Sequence, residues 1–168
     1  DIKCRAAGMS PDAVVVVATV KALKYNGGVP KAELGAENVE ALERGLPNLL
    51  KHVENITQVF GLPCVVAITR FVNDTVAELA LIRDKCRALG VNVALSEVWA
   101  KGGAGGEDLA REVLRLVEQP KHFQFSYDLD QPLKAKIETI VRRVYGGAGV
   151  AYSGAADKEL ARLEELGF

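Results

Sequence analysis

Histidine, cysteine, tryptophan and unbalanced charge are all scarce in this 168-residue chain, and each scarcity argues against a class of function. The two histidines, His52 and His122, stand alone. Neither an H-x-x-x-H metal pair nor a Ser/His/Asp set can be assembled around them, and both read as surface residues. The three cysteines, Cys4, Cys64 and Cys86, are far apart and odd in number, which fits neither a disulfide framework nor the paired C-x-x-C spacing of a zinc knuckle. Cys64, in an apolar run, and Cys86, on the apolar side of a helical pattern, read as buried, reduced thiols of a cytosolic protein. Lys plus Arg (21) nearly cancel Asp plus Glu (22), so there is no electrostatic footprint for nucleic acid or an anionic membrane. No apolar run approaches the roughly 20 residues needed to cross a bilayer. The opening, DIKCRAAGMSPD, has no apolar signal-peptide core and no initiator Met, so the chain is expected to be a piece of something longer.

What is present is a set of short β-branched runs separated by helical patterns. DAVVVVATV (Asp12 to Val20) is continuously apolar, as expected of a parallel strand covered on both faces. PCVVAIT (Pro63 to Thr69) repeats that signature, and VNVALS (Val91 to Ser96) is a shorter version. Between the first two, Val39, Leu42, Leu46, Leu49, Leu50, Val53, Ile56, Val59 and Phe60 recur at helical spacing, with a kink or restart expected at Pro47. Between the second and third runs TVAELALIRDKCRALG, where Thr75 and Glu78 have capping-box spacing and Gly90 stands where a helix would end. A further helix follows, with Leu109, Val113, Leu116 and Val117 on its apolar face. The alternation predicts an α/β fold: a doubly wound, mainly parallel sheet with flanking helices, of Rossmann-like or P-loop-NTPase-like architecture. Residues 1–120 form that unit. Residues 121–168 have no such strand and read as a smaller, mostly helical and incomplete segment.

In open α/β sheets ligands gather outside the strand carboxyl ends. Three segments converge there: KALKYNGG, RFVNDT and EVWAKGGAGG. Phe71 and Trp99 therefore leave the ends of successive strands, which lie roughly 4.8 Å apart if they are neighbours. A slot about 7 Å wide between two such rings accepts one planar heterocycle. Periodicity alone fits better a pair of rings that cap the sheet edge as ordinary core. The glycine run matches neither G-x-x-x-x-G-K-[ST] nor G-x-G-x-x-G. Glu107 and Asp108 occupy the first turn of the next helix, where they complement the dipole and repel phosphate. The glycines read instead as clearance beside a ligand or another chain segment. Lys101 is placed to meet an anion or simply to be solvated. Asp74 is a helix cap or an acceptor for ring N–H groups, the cap fitting better. Arg70 would pair with Asp74 or meet a carboxylate ligand. Glu97 would order the loop or accept from a ligand, and Gly27–Gly28 turn a long connection of lid-like length.

Several long words in order, DIKCRAAGMSPDAVVVVATVKALKYNGG, ENVEALERGLPNLLKHVENI, FGLPCVVAITRFVNDT, ALSEVWAKGGAGG, YDLDQPLKAKIETI and VYGGAGVAYS, resemble the formate–tetrahydrofolate ligases. The resemblance covers essentially the whole chain and matches a later-middle portion of a longer enzyme, without that family's ATP-phosphate loop. It implies ATP-dependent ligation of formate to tetrahydrofolate through formyl phosphate. ATP with Mg²⁺ and tetrahydrofolate would be substrates, with a monovalent cation as a further partner. The rest of the same polypeptide and a homotetramer are implied as well. It also implies that Phe71 and Trp99 sandwich the pterin ring, with Leu95, Glu97 and Lys101 lining the same cleft. The departures are Thr69, where the family usually has Asn before Arg or Lys, and Asn26, where it often has His. They put ligand affinity or ion handling in question if those side chains touch ligand. The rival expectations are a stand-alone binding module for a pterin or other flat heterocycle, and a purely structural domain whose aromatics are core.

Overall fold

The computed structural model describes residues 1–168. A short helix, α1 (Ile2–Ala6), precedes β1 (Val14–Ala18). Thr19 then caps α2 (Val20–Asn26), its hydroxyl accepting from the Ala22 N–H. A loop with a 3₁₀ turn leads to α3 (Val39–Glu54), a π-helical turn (Asn55–Val59) and β2 (Cys64–Thr69). Next come α4 (Val76–Ala88), β3 (Asn92–Ser96), the one-turn α5 (Val98–Lys101), a 3₁₀ stretch over Gly102–Gly106, and α6 (Glu107–Val117). The remainder carries α7 (Leu133–Thr139) and α8 (Gly154–Glu165), with no strand. No helix is long and apolar enough to cross a membrane.

The three strands form one wholly parallel sheet in the order β1-β2-β3, with Ile68 opposite Leu95 and Thr69 opposite Ser96. Helices lie on both faces, as the strand–helix alternation predicts. One face holds the main core, where Leu42, Leu46 and Val53 of α3 and Leu79, Ile82 and Cys86 of α4 meet Cys64, Val66 and Ile68 of β2. The other face is thin: Val65 and Ala94 pack against Leu116 of α6, with Leu109 and Val113 at its margin.

Four expectations change. The run Asp12–Val20 is a strand over five residues only, and it is not buried on both faces. Val15 is 39% exposed and Val17 67%. β1 is an edge strand paired only to β2, and α6 packs over β2 and β3 instead of over it. Pro47 does not interrupt α3, which runs through it. Its ring is on the exposed side, where Glu43 is exposed too, so the carbonyl left without an N–H partner meets water. The connection after β1 is not only loop, because α2 fills it. Gly27 and Gly45 let α2 and α3 touch backbone to backbone: a Cβ on Gly45 would come within 1.9 Å of the Leu23 carbonyl oxygen. Finally, Val117 is 40% exposed and does not join the core stripe of α6.

The tail adheres through polar backbone contacts. His122 N–H donates to Gly61 C=O and Gln124 N–H to Phe60 C=O, while the buried Asn55 amide donates to Val144 C=O. Asp1 accepts from the Ser126 N–H at 2.9 Å, and Arg5 lies over the Phe125 ring. His52 and His122 are both exposed. Cys64 and Cys86 are buried, and burial pushes both thiols up to about 11, so they remain protonated at neutral pH.

Candidate functional site

β2 and β3 are hydrogen-bonded neighbours, so the segments leaving their carboxyl ends emerge side by side. Arg70 N–H donates to Ser96 C=O, extending the ladder one step beyond the last strand pair. Phe71 follows at once, and Trp99 comes three residues after Ser96. A cleft of about 620 Å³ opens between them, lined also by Lys21, Arg70, Glu97 and Asn73. Phe71 is 41% exposed and Trp99 84%. The rings do not stack on each other, since the molecule's only close aromatic pair is Phe123–Phe125. Exposure of this size is not that of core residues sealing a sheet edge.

Each ring is held differently. Asp74 does not cap α4, because Thr75 does, in a complete capping box with Glu78. Asp74, buried at 7% exposure, accepts from the Phe71 N–H at 2.8 Å and so closes the RFVND turn that presents the ring. Behind it lies an ion pair with no counterpart in the sequence reading. Lys24 Nζ is 2.8 Å from Glu78 Oε1, with the side chains 1% and 0% exposed. Both members make further hydrogen bonds: Lys24 donates to Ala36 C=O, and Glu78 accepts from the Asn38 and Thr75 N–H groups. Burial works to raise the Glu78 carboxyl, but the Lys24 ammonium and those N–H donors outweigh it and hold it below the usual carboxylate range. One signal for the pair was available, a lysine on the apolar stripe of α2 beside Val20 and Leu23.

On the Trp99 side the glycines do the positioning. Glu97 N–H donates to Gly105 C=O, and a Cβ on Gly105 would come within 2.4 Å of the Glu97 carbonyl oxygen. The clearance expected of the glycine run therefore serves another chain segment, residues 97–98. Gly102 alone adopts a left-handed φ, +60°, where α5 ends. Glu107 and Asp108 do occupy the first turn of α6.

Arg70 pairs with Glu97, at 3.1 Å, and not with Asp74; Lys101 donates to the same carboxylate at 2.6 Å. The Lys101 bond, opposed by partial burial and aided by both positive charges, holds the Glu97 carboxyl below its ordinary range. Of the five predicted site residues, Phe71, Trp99 and Glu97 line one cleft, and Lys101 reaches it only through Glu97. Leu95 does not line that cleft: half-buried, it packs against the main core and, with Glu97 and Lys101, borders a separate depression of about 510 Å³. Lys21 lines the cleft and was missed, since a single lysine in KALK carries no pattern of its own. No group of three or more His, Cys, Asp or Glu residues is arranged to hold a metal ion. A depression of about 720 Å³ lies at the opposite sheet edge, beside Pro63, Asn92 and His122, away from both rings.

A parallel sheet flanked by helices, with exposed rings at its strand carboxyl ends, defines an α/β domain of the open-sheet class. The sequence model of the formate–tetrahydrofolate ligase family matches residues 1–168, and the chain belongs to that family. Ligase activity on formate and tetrahydrofolate, with ATP as the further substrate, is the activity of the family.

Proposed function

We propose that this chain supplies the folate-facing wall of a formate–tetrahydrofolate ligase, with the pterin held between Phe71 and Trp99. The observation that supports this is the pair of exposed, unstacked rings lining one cleft at adjacent strand ends. Ring stacking contributes roughly 1–3 kcal/mol per aromatic partner in comparable clamps. Glu97, fixed by Arg70 and Lys101, presents its charge at the cleft edge and orients the Trp99 loop. Leu95 acts from behind, as support for the strand that carries Glu97 and Trp99.

The chemistry is ATP-dependent. Formate attacks the terminal phosphoryl group of ATP, with Mg²⁺ accompanying the nucleotide, and gives formyl phosphate and ADP. The N10 lone pair of tetrahydrofolate then attacks the formyl carbon. The carbon–oxygen bond to phosphate breaks, phosphate leaves with the electron pair, and N10 loses its proton, giving 10-formyltetrahydrofolate. This chain's rings would hold the pterin still while that carbon is attacked, which is catalysis by positioning. The sequence has no G-x-x-x-x-G-K-[ST] word to cradle phosphates, so the 168-residue chain alone makes no formyl phosphate. Catalysis needs the rest of the same polypeptide, in a cytoplasmic homotetramer that also takes a monovalent cation. Residues 1–120 form the folate-facing domain and residues 121–168 a smaller helical unit.

Trp99 is the only tryptophan, so its fluorescence reports the clamp directly. Tetrahydrofolate is expected to quench it, and Phe71→Ala to weaken that binding about tenfold. Quenching that survives Phe71→Ala unchanged would sink the clamp. The second reading, a pterin-binding module without catalysis, rests on the same exposed rings. It predicts that the complete polypeptide binds tetrahydrofolate but does not formylate it with ATP and formate.

A further inference from the structure

We propose that Lys21 is the residue of this cleft that meets the acyl phosphate. The inference rests on the clamp reading and adds a substrate contact to it. Two cations line the cleft and a third, Lys101, stands behind it; Arg70 and Lys101 are already engaged, converging on the two oxygens of Glu97. Lys21 enters no hydrogen bond or ion pair. Its ammonium lies over the Phe71 ring, 4.9 Å from the centroid, and lines the space between the rings. A lysine held only by a ring face is easily drawn to an anion, because a cation–π contact is weak at a part-exposed site and a charge-assisted hydrogen bond is stronger.

The geometry selects which anion. An ammonium beside Phe71 is beside the pterin that Phe71 would stack on. The glutamate carboxylates of a folate lie a benzoyl ring and an amide farther along. N10 is one methylene from the pterin, so the formyl phosphate it attacks sits at the near end, within reach of a flexible four-carbon stem. There Lys21 hydrogen-bonds the phosphate oxygens and stabilises the charge that grows on them as the carbon–oxygen bond breaks.

The test uses the full-length ligase that contains this segment, as Lys21→Met and Lys21→Arg, with carbamoyl phosphate as a stable acyl phosphate. Lys21→Met is expected to weaken inhibition by carbamoyl phosphate roughly tenfold or more, while tetrahydrofolate binding, read by equilibrium dialysis, stays within about twofold. Lys21→Arg should keep most of the inhibition. Unchanged inhibition in Lys21→Met overturns the proposal. An equal loss of tetrahydrofolate binding overturns it too, making Lys21 a support for Phe71. A loss confined to polyglutamylated tetrahydrofolate overturns it in favour of the tail carboxylates. If Phe71→Ala leaves tetrahydrofolate binding to the ligase unchanged, the clamp reading falls, and the carbamoyl phosphate measurement still decides the role of Lys21.

Discussion

Phe71 and Trp99 face one cleft from neighbouring strands, yet they are anchored by opposite means. The Phe71 turn rests on buried polar groups: Asp74 on its N–H, then the Thr75 cap, then the enclosed Lys24–Glu78 pair that ties α2, the 34–38 loop and α4 together. The Trp99 turn has no buried residue over 97–106 and depends on backbone contact between Gly105 and Glu97, with surface ion pairs around it. Buried charges are costly to leave unpaired and so fix a geometry firmly. Exposed pairs hold weakly, so close backbone packing must define the second turn. The cleft thus has one rigid wall and one lightly held wall.

Removing one partner of the buried pair tests the rigid wall most severely. Lys24→Met or Glu78→Leu alone should cost about 3–5 kcal/mol in chemical unfolding, and the double substitution much less, since an apolar pair leaves no stranded charge. A double mutant as unstable as the sum of the singles would show that the pair is not the anchor. The same pair makes stability pH-dependent. Glu78 is held below its unfolded value, near 4.3, so its contribution is present above that pH and is lost as pH falls through the lowered folded value. Unfolding curves across that acid range should flatten in the double substitution.

Next in size are two changes expected to cost about 1–3 kcal/mol each, one per wall. Asp74→Ala strands the Phe71 N–H, and Gly105→Ala drives a methyl into the Glu97 carbonyl. Thermal melts should register both, but only Gly105→Ala should change acrylamide quenching of Trp99. Gly103→Ala is the matched control, because a Cβ there meets nothing within 4 Å; a melt as low as that of Gly105→Ala would remove close packing as the explanation. The smallest effect belongs to Glu97→Gln, expected to leave the melting temperature unmoved because the pairs it breaks are solvent-screened. Side-chain NMR should find the Glu97 carboxyl of the unmodified protein titrating below the ordinary carboxylate range.

Much of this fold was legible in the residue order. Apolar β-branched runs located all three strands, and the Thr75–Glu78 spacing marked the start of α4 correctly. Burial was less legible. VVVV in β1 has the composition of a strand enclosed on both faces, but composition cannot report that α6 comes to rest over β2 and β3. Around the site, the emergence of Phe71 and Trp99 from successive strands followed from topology. The partner of Arg70 did not: sequence spacing offered the nearby Asp74 or a carboxylate ligand, and Glu97, 27 residues on, meets it only because the two strand ends are neighbours.

Local preference and the alternation of apolar runs determined the elements, their parallel arrangement and the edge at which two rings would emerge, because hydrogen-bonding period and crossover handedness act along the chain. The family words in the sequence pointed to the ligase. Tertiary structure alone decided that Leu95 faces the core and that Asp74 holds a ring's N–H. It also decided that Lys24 and Glu78 disappear together into the interior, and that Lys21 is left without an acid beside Phe71. Those outcomes depend on groups distant in sequence meeting where water is excluded, and one-dimensional spacing carries no record of that.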